Sequence, residues 1–162
     1  MTDILPQLIL QVILIALNAI FAAAEIAIIS MNDAKLEAMA KKGDKRAKRL
    51  AKITSTPARF LSTIQVAITL AGFLGSAFAA DNFSEPLVNW IMSFGINEAR
   101  RGLISSVSVI LITLVLSFFT IVFGELVPKR IAMKKTESLA LGISGLIGFI
   151  SKLFAPIVWL LS

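Results

Sequence analysis

From Ile4 to Ser30 the chain is apolar except at Gln7, Gln11, Asn18 and Glu25, and a run of this length spans a bilayer with some tilt. It predicts a first crossing over 4–30. Asn18 and Glu25 are seven residues apart, two helical turns, so they share a face, and Ala22, Ala23 and Ala24 let another helix approach closely. The pattern then changes abruptly. Between Asn32 and Arg59 stand nine Lys/Arg against three acids, and among them Leu36, Met39, Ala40, Gly43, Ala47 and Leu50 recur at helical spacing. This segment reads as one amphipathic helix, or a pair broken near Gly43-Asp44, over 33–56.

Thr56-Pro57 has the form of an N-cap followed by proline at the first helical position, opening a second crossing over 58–80. Its polar and small residues Gln65, Thr69, Gly72 and Ser76 follow at intervals of 4, 3 and 4, one stripe that must face protein or a cavity. A polar loop from Asp81 to Arg101 comes next, with Trp90 and Phe94 marking a part of it for the interface, where aromatics collect. The third crossing, over 102–126, repeats the 4, 3, 4 spacing at Thr113, Ser117, Thr120 and Gly124. Plain packing of two helices through small residues accounts for most of these positions. A last apolar run, Ser138 to Leu161, divides around Lys152 into pieces of 14 and 9 residues. A lysine at the centre of a spanning helix costs about 2.5–3.5 kcal/mol, so the expectation is a juxtamembrane hairpin over 137–161 that does not cross.

Composition agrees with this pattern: 57% of the 162 residues are hydrophobic and 16% charged, with a mean hydropathy of +0.86. No soluble domain has that balance, and the length suits a few crossings of about 20 residues each. The fold class expected is therefore an all-α membrane protein with three transmembrane helices plus amphipathic and juxtamembrane helices. Cysteine and histidine are both absent, which removes disulfides, thiolate sites, the commonest transition-metal ligand and the commonest general base. Any metal must be held by oxygen, and no enzymatic activity is expected. Met1-Thr2-Asp3 lack a basic n-region and precede a run too long for a signal-peptide core, so the first run reads as a retained anchor. Thirteen cations lie in two basic segments, the second being Lys129, Arg130, Lys134 and Lys135, with Arg100 and Arg101 on the opposite side. The basic side is then cytoplasmic, the N-terminus outside and the C-terminus cytoplasmic. A basic stretch flanked by crossings takes anionic lipid as its partner rather than nucleic acid.

One stretch concentrates the candidate chemistry: Phe119-Thr120-Ile121-Val122-Phe123-Gly124-Glu125-Leu126-Val127-Pro128-Lys129-Arg130. Pro128 has no N–H, so in a helix the Gly124 carbonyl loses its partner beside the Glu125 carboxylate. Hard cations such as Mg²⁺ want oxygen ligands of this kind, whereas the plainer reading is that Gly-Glu-x-x-Pro-Lys stops a helix at the membrane surface. Glu25 is open to two readings as well: a protonated acid bonded to a neighbouring helix, or an acid facing an aqueous cavity.

Leu17-Asn18-Ala19 with Ala24-Glu25-Ile26-Ala27, then Gly43-Asp44-Lys45-Arg46-Ala47, then Phe60 to Leu70, and finally Phe123-Gly124-Glu125-Leu126-Val127-Pro128-Lys129-Arg130 resemble the transmembrane domain of the CorC/CNNM cation-transport family. That module is also called DUF21, and bacterial members are often labelled hemolysin C-like; nothing in the residues argues for a pore-forming toxin. The resemblance runs from Ile4 to Leu161 and implies a single membrane domain over 1–162, with the CBS pair and C-terminal domain of full-length members absent from this chain. It further implies a plasma-membrane homodimer of three-helix protomers that moves Mg²⁺ outward, with Na⁺ exchange proposed for some members. Small residues such as Gly142, Gly145 and Gly148 invite the close contact that a dimer needs. The Glu of the family's Gly-Glu-x-x-Pro motif maps onto Glu125. Two positions depart from the Mg²⁺-transporting branch: Ala22 stands where a serine is frequent, and Ala67 to Gly72 replace an Asn-rich stretch.

The function expected is a cation transporter module in which Glu125, the Gly124 carbonyl, Glu25, Asn18, Gln65 and Thr69 line a cytoplasm-facing cavity, with Pro128 as the structural kink. With few side-chain ligands, Mg²⁺ binds there partly hydrated. The alternative is a non-transporting anchor or sensor for cytosolic CBS domains, whose polar stripes only pack helices.

Overall fold

The computed structural model describes residues 4–161 and is helical throughout, with no strand among the described residues. Met1-Thr2-Asp3, on which the retained-anchor reading partly rests, lie outside the described residues. Helix α1 (Ile4–Ile29) is followed by two short helices, α2 (Asp33–Lys41) and α3 (Lys45–Thr54). Their boundary is set locally. Asn32 accepts from the Lys35 backbone N–H at 3.1 Å to open α2, Gly43 adopts φ +96°, and the Asp44 carboxylate accepts from the N–H groups of Arg46 (2.8 Å) and Ala47 (3.3 Å) to open α3. The break expected near Gly43-Asp44 is where it occurs.

Helix α4 (Pro57–Met92) begins with Pro57 as expected, although the Thr56 side chain makes no capping bond. It then continues far beyond residue 80. The loop expected from Asp81 is mostly helix, because Pro86 removes only one backbone hydrogen bond and polar side chains at this end find local partners: Asn82 Nδ2 donates to the Phe78 carbonyl at 2.7 Å. At 36 residues α4 is about 54 Å long, well over the hydrocarbon thickness of a bilayer. Gly95, at φ +86°, and the short 3₁₀ turn Glu98–Arg100 reverse the chain, and Trp90 and Phe94 pack edge to face at 5.1 Å. Helix α5 (Arg101–Ile121) runs through a π turn (Val122–Leu126) into α6 (Val127–Lys134).

Helix α7 (Thr136–Leu161) corrects the expected hairpin: it is one unbroken helix through both Lys152 and Pro156. Lys152 is exposed, so its long stem can carry the ammonium to water without a break in the backbone, and a break inside an apolar run would leave backbone groups unpaired. Four helical stretches, not three, are therefore long and apolar enough to cross a membrane: Ile4–Ile29, Pro57–Met92, Glu98–Lys134 and Thr136–Leu160.

The main core lies at the basic end. It gathers Ala24, Ala27 and Ile28 of α1, Met31 of the turn that follows it, Leu36 of α2, Ala47 and Leu50 of α3, Phe60 and Ile64 of α4, Ala132 of α6, and Ala140, Leu141 and Ile147 of α7. The basic segment thus docks by the apolar positions that its helical spacing marked, with Lys45, Arg46, Lys48, Arg49 and Lys52 left on the exposed side of α3. Arg49 also changes the reading of the α7 glycines. A Cβ at Gly145 would stand 3.1 Å from Arg49 Nη1, and one at Gly148 would stand 3.4 Å from Arg49 Cδ, so two of the three glycines are covered within the protomer. Only Gly142 has open space beside it.

Candidate cation site

Pro128 does not end its helix. The Val127 N–H reaches back five residues to the Val122 carbonyl, which inserts one extra residue into the turn just before the position where proline cannot donate. Glu125 lies inside this widened turn and Lys129 lies four residues on, in the first turn of α6. Lys129 Nζ donates to Glu125 Oε1 at 2.9 Å and lies 3.2 Å from Glu25 Oε2 on α1. The second contact is an ion pair without hydrogen-bond alignment, since Glu25 Oε2 has no aligned donor. Two acids from separate helices, no more than about 6 Å apart, therefore share one ammonium. All three side chains are partly shielded, Glu25 most, at 20% exposed. With both acids ionised the cluster keeps one negative charge beyond what Lys129 neutralises, and a cation is the group that answers it.

Gly124, the residue before Glu125 in the π turn, meets Asn18 of α1. A Cβ at Gly124 would lie 3.3 Å from Asn18 Nδ2 and 3.4 Å from both Asn18 Cβ and the Ile15 carbonyl oxygen, so only glycine lets the π turn press this closely on α1. Asn18 is 3% exposed, and its Oδ1 has no donor. Of the six residues expected in the cavity, the fold brings together Glu125, Gly124, Glu25 and Asn18. Gln65 and Thr69 are elsewhere. Both are exposed and bond to each other at 3.5 Å, while the buried line of α4 is the neighbouring one, Ala67, Gly75 and Ala79. The reason is steric: α1 needs small residues to lie against, and those three supply them, whereas the Gln65/Thr69 stripe needs only each other.

The residue missed in the sequence is Lys129. Its spacing of four from Glu125 was a legible signal for a helical ion pair, but its reach to Glu25 depends on how α6 crosses α1. Among the described residues no group of three or more acidic side chains could hold a metal, so a metal ion here has two carboxylates, the Asn18 amide and water for ligands. A concavity of about 660 Å³ between α1, α4 and α5 is lined by Leu8, Val12, Phe83, Leu111, Leu116 and other apolar residues; only Gln11 in its lining is polar. It suits acyl chains, not cations.

Comparison with known proteins shows the family of the chain. The family model of the cyclin M transmembrane N-terminal domain matches residues 9–162. A UPF0053 protein of Synechocystis, sll0260, is 35% identical over 92% of this chain and 33% of its own length. A polyamine export protein of Haemophilus influenzae is 33% identical over 91% of the chain and 33% of its own length. The UPF0053 inner membrane protein YfjD of Escherichia coli is 30% identical over 90% and 30% respectively. The chain spans about a third of the length of these relatives. With its apolar helices and a match over nearly its whole length, it is a multi-pass membrane protein that belongs to the cyclin M (CNNM) transmembrane-domain family.

Proposed function

We propose that this chain is the membrane part of a cation exporter of the plasma membrane, and that its cargo binds between Glu25 and Glu125. The observation that carries the reading is the convergence of two acids from α1 and the π turn on one cationic nitrogen, Lys129 Nζ, at 3.2 and 2.9 Å. Acids at membrane depth are costly unless they serve an ion pathway or a relay, and here they are supported by an amide oxygen and a close-packed glycine rather than by a fully compensating set of bases. Lys129 is then a tethered occupant: cargo entering from the basic, cytoplasmic side displaces it. Mg²⁺ is the first cargo, held partly hydrated because the protein offers few oxygens, with Na⁺ as a coupling ion.

A second cargo has a specific observation in its favour. The two acids already hold an alkylammonium, that of Lys129, and the amine groups of a polyamine are the same chemical species; a relative named for polyamine export is similar over 91% of this chain. The N-terminus outside, the C-terminus in the cytoplasm, a homodimer, and regulation through CBS domains of the longer protein belong to the same proposal. The competing anchor or sensor reading predicts no flux at all. Flux from proteoliposomes loaded with Mg²⁺ or with spermidine separates the three. Mg²⁺ release faster than from equally loaded vesicles without protein supports the first cargo, spermidine release alone the second, and release of neither removes the transport reading.

A further inference from the structure

Four side chains of α1 present a buried oxygen without a hydrogen-bond donor: Gln7 Oε1, Gln11 Oε1, Asn18 Oδ1 and Glu25 Oε2, the last with only its ion pair to Lys129. At 100° per residue they fall within an arc of about 40°, and at 1.5 Å per residue they extend over about 27 Å, close to the thickness of the hydrocarbon core. Helix α4 fixes the orientation of two of these amides. Gln11 Nε2 donates to the Gly75 carbonyl at 2.9 Å, a group that can only accept, so the amide oxygen is the free end. Asn82 Nδ2 donates to the Phe78 carbonyl, which turns Asn82 Oδ1 to accept from Gln7 Nε2 at 2.8 Å and again leaves the Gln7 oxygen free. Both glutamines give their nitrogens to α4 and keep their oxygens unused.

Between Gln11 and Asn18 lies a cavity of about 10 Å³, also lined by Ala71, Gly72, Gly75 and Thr120. It has room for one water-sized occupant. Buried acceptors without donors raise the free energy of an apolar interior, and a water or a cation relieves them where an anion does not.

We infer that this face of α1 is the route by which the cation crosses the membrane, from the Glu25–Glu125 pair past Asn18 and the small cavity to Gln11 and Gln7. In the structure the hydrogen bond from Gln11 to Gly75 closes it. The inference rests on the transport reading of the carboxylate pair and extends it to side chains outside that pair. The chemistry is graded: charge at the cytoplasmic mouth draws the cation out of water, and the neutral amide oxygens beyond replace part of its hydration without trapping it.

The absence of cysteine allows a direct test. Single cysteines are placed at 7, 11 and 18, with Ile13→Cys, on a side chain 50% exposed at the outer surface of α1, as the control. Each protein, in lipid vesicles, is treated with the cationic reagent ethylammonium methanethiosulfonate and with its anionic sulfonatoethyl counterpart. The expected result is at least tenfold faster reaction of Gln11→Cys and Asn18→Cys with the cationic reagent, slowed by Mg²⁺, and no reaction at 13. Equal rates with the two reagents, or no reaction at 7, 11 and 18, overturn the route. In parallel, Gln11→Leu, close in side-chain volume, removes both the acceptor and the donor to Gly75; loss of the acceptor is expected to dominate and lower Mg²⁺ flux at least tenfold, and full or raised flux in a folded Gln11→Leu protein also overturns the route. Selective labelling at 11 and 18 in a parent chain that shows no flux counts against the transport reading and in favour of a cation-accessible face.

Discussion

At the scale of single residues, Lys129 decides how the site behaves when empty. Its ammonium stands between two acids, so removing it leaves like charges side by side, and in Lys129→Gln stability without added cation is expected to fall by about 1–3 kcal/mol. A divalent cation then takes the vacated place. Thermal unfolding of Lys129→Gln is therefore expected to show a larger rise on adding Mg²⁺ than the parent shows; an equal rise contradicts the role of Lys129 as tethered occupant. Gly124 is constrained by space instead. With Asn18 Nδ2 3.3 Å and the Ile15 carbonyl 3.4 Å from where a Cβ would stand, Gly124→Ala has to shift the Asn18 amide or the turn by a few tenths of an ångström, an overpacking effect expected to cost about 1 kcal/mol in the same melting experiment. That Glu125 and Gly124 mattered was legible from the proline four residues after the glycine. That Gln65 and Thr69 stand apart was not, because a stripe of polar and small residues looks the same whether it packs on a neighbour or faces outwards.

At the scale of elements, the π turn shows how a proline is accommodated without ending a helix. Pro128→Ala restores an N–H able to reach the Gly124 carbonyl, so the turn is expected to relax to ordinary α geometry and rotate Glu125 relative to Lys129. Hydrogen exchange over 122–134 should then slow while cation flux falls about tenfold, a combination that simple destabilisation does not produce. The cap of helix α3 carries a pH effect outside the spans. The N–H groups of Ala47 and Arg46 hold the Asp44 carboxyl below its ordinary value of 3.8, so the cap contributes fully above pH 3.8 and is lost as pH falls through the lowered native value. Amide exchange at residues 45–48 is expected to accelerate in that acid window in the parent, and at all pH values in Asp44→Ala. The helices themselves were legible from apolar runs and capping residues. Their ends were not where a single polar residue suggested them, since α4 runs through Asp81 and Pro86 and α7 through Lys152 and Pro156: one charge or one proline costs less than a break in backbone pairing.

At the scale of the whole molecule, the position of α7 bears on topology. The helix is long enough to cross, yet its first half, Ala140 to Ile147, is built into the basic-end core, and Arg49 lies along it as far as Gly148, about 18 Å from its start. A crossing α7 draws the cationic face of α3 into hydrocarbon with it. An α7 lying at the interface keeps those cations in the headgroup region, and that is the expected placement. A C-terminal tag is accordingly expected to be protected from protease in intact cells, and digestion of that tag contradicts the interfacial placement. With Gly145 and Gly148 covered by Arg49, a dimer must use other surfaces, and mass measurement in native-like lipid is expected to give two copies. The proposed cargo site depends most on the carboxylate of Glu125. Glu125→Gln keeps size and hydrogen bonding but removes the charge that draws a cation out of water. The most direct measurement is cation efflux, with Mg²⁺ and spermidine each tried, from vesicles holding equal amounts of folded parent and Glu125→Gln protein. At least a tenfold loss of efflux is the predicted result, with a smaller loss for Glu25→Gln; efflux equal to that of the parent contradicts the assignment of this pair as the cargo site.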